Sequence, residues 1–155
     1  MATINHVKRK QEEVIDLGPV QIYVLEDGKL TDNRLSLIRL TIQGKSKGPP
    51  LHWHRMHDEG FYVSKGTVRF HTEKGDVDAN AGEFVMVPIK AVHSFSNPFD
   101  EPAEFLNTFT PAFYIDYLRM VGANMKSGMM MGAEKQKEIM AQFATFPPGD
   151  LGLDE

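Results

Sequence analysis

Cysteine is absent from the 155 residues. Disulfide staples and thiolate metal sites are therefore excluded, and the fold must stand on an ordinary core. That absence fits a reducing compartment. Long apolar runs are missing too, since a bilayer span needs about 20 consecutive apolar residues and no stretch approaches that. The segment from Met1 to Glu13 is polar and charged, with nothing resembling the apolar stretch of a secretory leader. A cytoplasmic protein without a membrane partner is expected. Basic charge is also thin: 17 Lys and Arg stand against 21 Asp and Glu, for a net charge of −4, and they are scattered. Replacing counterions on a phosphate backbone takes clustered cations, so nucleic acid is not an expected partner. The short run His6-Val7-Lys8-Arg9-Lys10 reads as a solvated arm. What remains, 41% hydrophobic and 25% charged residues, suits one globular domain with a sizeable core.

The first two-thirds of the chain reads as strands. Val20-Gln21-Ile22-Tyr23-Val24 alternates apolar and polar residues, then meets a turn signal at Glu26-Asp27-Gly28. The run from Leu35 to Ile42 is rich in β-formers and stops at Gly44. Short segments follow at Phe61–Val63, Val68–Thr72, Phe84–Val87, Val92–Phe95 and Glu104–Phe109. Lys65-Gly66, Lys74-Gly75-Asp76, Ala81-Gly82 and Asn97-Pro98 separate them. Many short strands with regular turns predict a sandwich or barrel. The last third changes character. Thr110-Pro111 predicts a helix start, and Tyr114, Leu118, Val121 and Met125 recur at helical spacing. A second helix is predicted over Ala133 to Phe146, ended by Pro147-Pro148. Between the two helices, Met129-Met130-Met131 reads as a loop resting on the strands.

Chemistry concentrates in Leu51-His52-Trp53-His54-Arg55-Met56-His57-Asp58-Glu59. On a strand, residues two apart share a face, so His52 and His54 present both imidazoles to one side. Neutral imidazole is the commonest protein ligand for borderline divalent metals, and Glu59 can return a carboxylate to the same face. Taken alone, the same pattern describes two exposed strand histidines beside an acid.

A second cluster completes a resemblance. His52-x-His54-x4-Glu59-x6-Gly66 and Gly82-x5-Pro88-x4-His93-x3-Asn97 resemble the two motifs of the cupin family. The resemblance covers Gly48 to about Thr110. It implies an all-β, single jelly-roll barrel, followed here by two C-terminal α-helices. Residues 1–18 then form an N-terminal arm, 19–110 the barrel (motifs at 48–66 and 82–97) and 111–155 a helical extension. His52, His54, Glu59 and His93 resemble the family's metal set, while Gly66, Gly82, Pro88 and Asn97 fall at turn positions. The motif spacing selects Glu59 over His57 and Asp58, which leaves His57 in the connecting turn as a rim residue or a donor behind the ligands. His71 reads as an ordinary strand residue. Two departures stand out: three residues rather than five separate Gly48 from His52, and Lys90 stands where a glycine is common.

Three imidazoles and a carboxylate leave coordination positions open, which suits catalysis rather than a closed structural site. Fe, Mn, Ni, Co, Cu and Zn all tolerate these donors, so one divalent transition metal of unspecified identity is expected. Alternation places Phe61 and Val63 on the face of Glu59 and Phe95 on that of His93; Phe105, Phe109 and Arg39 are further candidates for substrate contact. Phe84, Met86 and Phe113 are apolar residues of undetermined facing. Arg39 also reads as a solvent-facing charge on the outer sheet. The expected function is a metal-dependent dioxygenase resembling quercetinase-like small cupins, acting on an aromatic, polyketide-like or flavonoid-like small molecule that bears oxygen donors. Glu59 doubles as a general base in this reading. The alternatives are a redox-neutral isomerase, lyase, decarboxylase or cyclase, and a non-catalytic small-ligand binder. The resemblance also favours a homodimer.

Overall fold

A computed structural model describes residues 3–128 and 132–150. The Met129-Met130-Met131 run lies outside the described residues. The chain opens with β1 (Glu13–Leu17) and β2 (Val20–Glu26), an antiparallel pair in which Ile15 faces Ile22. Residues 13–17, read as part of an arm, are therefore the first strand of a sheet. β3 (Ser36–Ile42) pairs with β2 and alternates strictly: Ser36, Ile38, Leu40 and Ile42 are buried, and Leu37, Arg39 and Thr41 face outward. Burial on one side only is the expected outcome of a period of two.

β4 (Ser46–Lys47) and β5 (Trp53–His54) are short pieces leading into the long β6 (Asp58–Lys65). β7 (Thr67–Thr72) and β8 (Gly75–Asn80) make a hairpin, and β9 (Phe84–Val87), β10 (His93–Asn97) and β11 (Ala103–Thr110) complete the core strands. They assemble into a six-stranded sheet ordered β1-β2-β3-β11-β6-β9 and a four-stranded sheet ordered β4-β10-β7-β8. Every pairing is antiparallel. This is the jelly-roll expected from the sequence, with one refinement. The hydrogen-bonded ladders stay within separate sheets, and the two faces meet by packing; Phe61 of one sheet lies 5.1 Å from Phe70 of the other, edge to face. Phe61, Phe70, Phe105 and Phe109 are essentially inaccessible to solvent, each contributing about 1.5–3 kcal/mol of burial.

The turn after β6 depends on Gly66. Its φ is +73°, and a side chain there would press on the Pro102 carbonyl. Only glycine takes that conformation without cost. Asn97, fully buried, donates to the Glu101 carbonyl at 2.8 Å and accepts from the Phe99 amide at 3.1 Å. Both positions serve the backbone, as the motif implies.

α1 (Ile115–Lys126) starts later than the Thr110-Pro111 signal, because Thr110 still belongs to β11 and pairs with Asp58. α2 (Ala133–Gln142) stops short of Phe146: the chain instead turns into β12 (Thr145–Phe146), which pairs antiparallel with β5. α1 lies against β1, with Gly122 so close to Ile15 that a Cβ at that position would meet its methyl at 2.5 Å. Among the described residues no helix is long and apolar enough to cross a membrane.

Candidate metal centre

Four histidines and one glutamate converge where β5, β6 and β10 meet. His52 precedes β5 and forms an isolated bridge to His93, with mutual backbone bonds of 3.0 and 2.8 Å. His54 ends β5, Glu59 is the second residue of β6, and His93 opens β10. All are buried: His52 6%, His54 2%, Glu59 4% and His93 3% exposed. The predicted quartet is thus brought together in space.

Each imidazole is held through Nδ1. His52 Nδ1 bonds the Pro50 carbonyl at 2.8 Å and His93 Nδ1 the Ala91 carbonyl at 3.0 Å. His54 Nδ1 meets Thr145 Oγ1 at 2.8 Å, and that hydroxyl donates onward to the Phe143 carbonyl at 3.2 Å. For His52 and His54 a proton on Nδ1 leaves Nε2 as the lone-pair nitrogen, the tautomer a metal ligand requires, whereas His93 Nε2 carries a proton donated to Glu59 that a bound ion would displace. Nε2 of His93 meets Glu59 Oε2 at 2.7 Å, and His54 Nε2 stands 3.5 Å from the same oxygen. His54 Nε2 is buried without any hydrogen-bond partner. An orphaned buried acceptor is costly, and a cation is a fitting partner for it. One ligand atom from each of His52, His54 and His93 lies within 4.8 Å of the others. The donor set fits a divalent ion.

Electrostatics agree with that chemistry. Burial pushes the His52 pKa down to about 3, helped by His93 and His54, so its ring is neutral at pH 7. Burial pushes Glu59 up, yet His54 and His93 prevail and hold its carboxyl well below the usual carboxylate range. Burial pushes His93 down, but the Glu59 carboxylate overcomes it and the pKa ends raised. Glu59 is ionised across the neutral range.

Of the two places expected for His57, the structure gives the one behind the cluster and not the rim. It is 4% exposed, its ring 4.0 Å from that of His54 and 4.8 Å from that of Tyr114. Burial lowers its pKa to about 4, with His54 adding to the effect. Its Nε2 is buried and unpartnered, 4.0 Å from Glu59 Oε1. The turn between β5 and β6 folds inward here, and Met56 takes the exposed position instead.

Beside the centre lies a cavity of about 230 Å³ whose walls include His52, Glu59 and His93. Phe61, Phe95 and Phe109 line it, as expected. Tyr114, Tyr117 and Leu118 from α1 and its approach, with Gln136 and Met140 from α2, form its cover. The helices therefore wall one side of the cavity. Phe105 does not line the cavity: it is fully buried, 5.2 Å from Phe95 and 6.2 Å from Phe61, and is core packing. Arg39 is also corrected. The alternation that turns Ile38 and Leu40 into the cavity sends Arg39 outward, onto Glu12 at 2.9 Å, Glu104 at 3.1 Å and the Tyr23 ring at 3.8 Å. Phe84, Met86 and Phe113 are exposed. His71 bridges Asp76 and Ser96 on the four-stranded sheet, as a strand residue.

The Thr145 anchor had no motif to announce it, because it acts from a strand 91 residues away. Lys90 takes φ +68°, the conformation a glycine would take, and its amide donates to the His54 carbonyl at 2.7 Å. The left-handed turn thus keeps its place in the fold despite the lost glycine.

Fold and site together define a small jelly-roll protein with a buried histidine–carboxylate centre at an apolar cavity. Comparison with known proteins agrees: the profile of the Cupin domain matches residues 38–109. That match spans just under half of the chain, and the fold around it is the one the cupin resemblance implies. It is 27% identical over 71 residues to quercetin 2,3-dioxygenase of Bacillus subtilis, covering 46% of this chain and 21% of that protein. The chain thus spans about a fifth of that relative's length. Among solved structures, an RmlC-like cupin from Shewanella frigidimarina aligns with a TM-score of 0.61 and 22% identity, over 75% of this chain and 99% of that one. KdgF from Halomonas sp. aligns with a TM-score of 0.62 and 16% identity, over 70% and 94%. These structural likenesses bear on the fold.

Proposed function

We propose that the protein is a metal-dependent dioxygenase in which His52, His54, Glu59 and His93 hold one divalent ion beside a small, oxygen-bearing, aromatic substrate. The observation that carries the reading is the position of His52, Glu59 and His93 in the wall of a largely apolar cavity, with His54 Nε2 buried and unpartnered beside them. The partial likeness to a quercetin dioxygenase supports oxygenation over other cupin chemistries. When bound, a divalent ion supplies Lewis acidity towards a substrate oxygen and, if redox-active, a path for electrons to dioxygen.

The chain's own residues set the rest. Phe61, Phe95 and Phe109 offer faces and edges to a flat ring, and about 230 Å³ admits a one- or two-ring molecule rather than an extended chain. Tyr114 is neutral, because complete burial pushes its phenol well above the usual value, and it stays a hydrogen-bonding hydroxyl. Tyr117 and Leu118 of α1 and Gln136 and Met140 of α2 wall the cavity on one side, which limits the water around charges within it. Glu59 is the candidate base. It is ionised, and with one carboxylate oxygen on the ion the other would take a substrate hydroxyl proton. A cytoplasmic homodimer belongs to the same proposal, and a hydrodynamic mass measurement tests the dimer.

The deciding experiment measures turnover of a phenolic or hydroxy-ketone substrate with and without dioxygen. Dioxygen uptake in step with substrate loss is the expected result. Undiminished turnover under anaerobic conditions rejects the dioxygenase and leaves a redox-neutral enzyme; tight binding without turnover leaves a ligand-binding cupin.

A further inference from the structure

We propose that the centre has a second seat for its ion, formed by His54, His57 and Glu59, which the ion occupies in alternation with the seat formed by His52, His54, Glu59 and His93. The inference rests on the metal-centre reading above and adds a ligand to it. Two independent observations carry it. One ligand atom from each of His54, His57 and Glu59 lies within 4.8 Å of the other two, in a group separate from that of His52, His54 and His93. In addition, His57 Nε2 is buried without a partner, as is His54 Nε2.

The distances suit coordination. For bonds of about 2.1 Å, neighbouring donors sit about 3 Å apart and opposite donors about 4.2 Å apart. His54 Nε2 to Glu59 Oε2 is 3.5 Å, and His57 Nε2 to Glu59 Oε1 is 4.0 Å. The carboxylate is divided between the seats: Oε2 turns to His93 and Oε1 to His57. A hydrophobic neighbourhood gives the His57 nitrogen no other polar partner, for its ring packs on Tyr114 and edge-on to Phe109, 5.6 Å away.

Occupancy is exclusive. His54 is common to both seats, and with its Nδ1 engaged by Thr145 it has one lone pair to give. Two ions cannot share it, so the stoichiometry stays at one per chain. The seats also differ in exposure to substrate. His52, Glu59 and His93 line the cavity, whereas His54 and His57 stand behind that wall. An ion in the second seat is withdrawn from the cavity, and four donors against three make the first seat the preferred one.

The test is Co(II) binding by calorimetry and visible absorption to four proteins: the wild type, H57Q, H52Q/H93Q and H52Q/H57Q/H93Q. Folding is checked by circular dichroism. The wild type binds one Co(II), and H57Q, which removes the less favoured seat, should lower its affinity by less than twofold. H52Q/H93Q should retain one Co(II) more weakly, and adding H57Q to it should cost more than tenfold further, about 1.4 kcal/mol. If the double variant fails to fold, H93Q with and without H57Q gives the same comparison. A folded H52Q/H93Q that binds no Co(II), or an H57Q effect equal in both backgrounds, overturns the second seat alone. A wild type that binds no Co(II) overturns the metal-centre reading as well.

Discussion

Thr145→Val tests whether the C-terminal segment is part of the metal centre. The two side chains have nearly the same shape, so the change removes a hydroxyl and little volume. Thr145 is 1% exposed, and its hydroxyl accepts from His54 Nδ1 at 2.8 Å, donates to the Phe143 carbonyl at 3.2 Å and hydrogen-bonds Tyr114. Without it, the His54 Nδ1–H is buried and unpaired, which costs about 1–3 kcal/mol of stability in the metal-free protein. The ring is then free to rotate or to change tautomer, and loss of such an outer partner typically lowers metal affinity about 10- to 100-fold. That is about 1.4–2.7 kcal/mol in binding. Urea unfolding of metal-free protein reads the first quantity and Co(II) calorimetry the second. Thr145→Ser keeps the hydroxyl and should restore both. If Thr145→Val binds Co(II) within twofold of wild type, Thr145 does not orient His54 and the argument fails. If Thr145→Ser loses as much as Val, the methyl group matters and the hydroxyl does not.

Three other outcomes follow from the same geometry. Chelation of bound metal should lower Tm, and re-addition of a divalent ion at about 100 times its Kd should restore about 2.7 kcal/mol; an unchanged Tm over that range would show that no ion binds the folded state. Asp27 is held at about 2, where burial pushes it up but Lys29 and Arg119 prevail, so its contribution is present above pH 3.8 and is lost as pH falls through about 2. Asp27→Asn should therefore destabilise at pH 6 by up to about 2 kcal/mol, solvent screening reducing it, and by less at pH 3; a gap that widens on acidification would reverse the sign. Gly122→Leu drives a side chain into Ile15 across the α1–β1 contact and should cost about 1–3 kcal/mol in denaturant unfolding, with Co(II) affinity nearly unchanged.

Much of the jelly roll was legible because its core strands alternate: β2, β3 and β11 show one face to the core and one to water. β8 was not legible. Gly-Asp-Val-Asp-Ala-Asn buries only Ala79, and the segment becomes a strand through its hairpin with β7 rather than through its own composition. β1 hides for the same reason, with Ile15 its one buried residue. The quartet His52, His54, Glu59 and His93 was legible as spacing on two strands. His57 was left between the rim and a place behind the cluster because a turn has no periodicity from which to read facing. Thr145 was invisible because its role arises from a pairing between β12 and β5 that no local pattern encodes.

The placement of Thr145 and Tyr114 gives the C-terminal third a purpose beyond covering the cavity. β12 pairs with the strand that carries His54, so the residues after α2 fix both the backbone and the imidazole of His54. α1 and α2 lie between the core strands and β12 in sequence, and they also contribute Tyr117, Gln136 and Met140 to the cover. Only Phe143 and Ala144 separate the end of α2 from β12, so the wall of the cavity and the anchor of His54 are two residues apart in the chain.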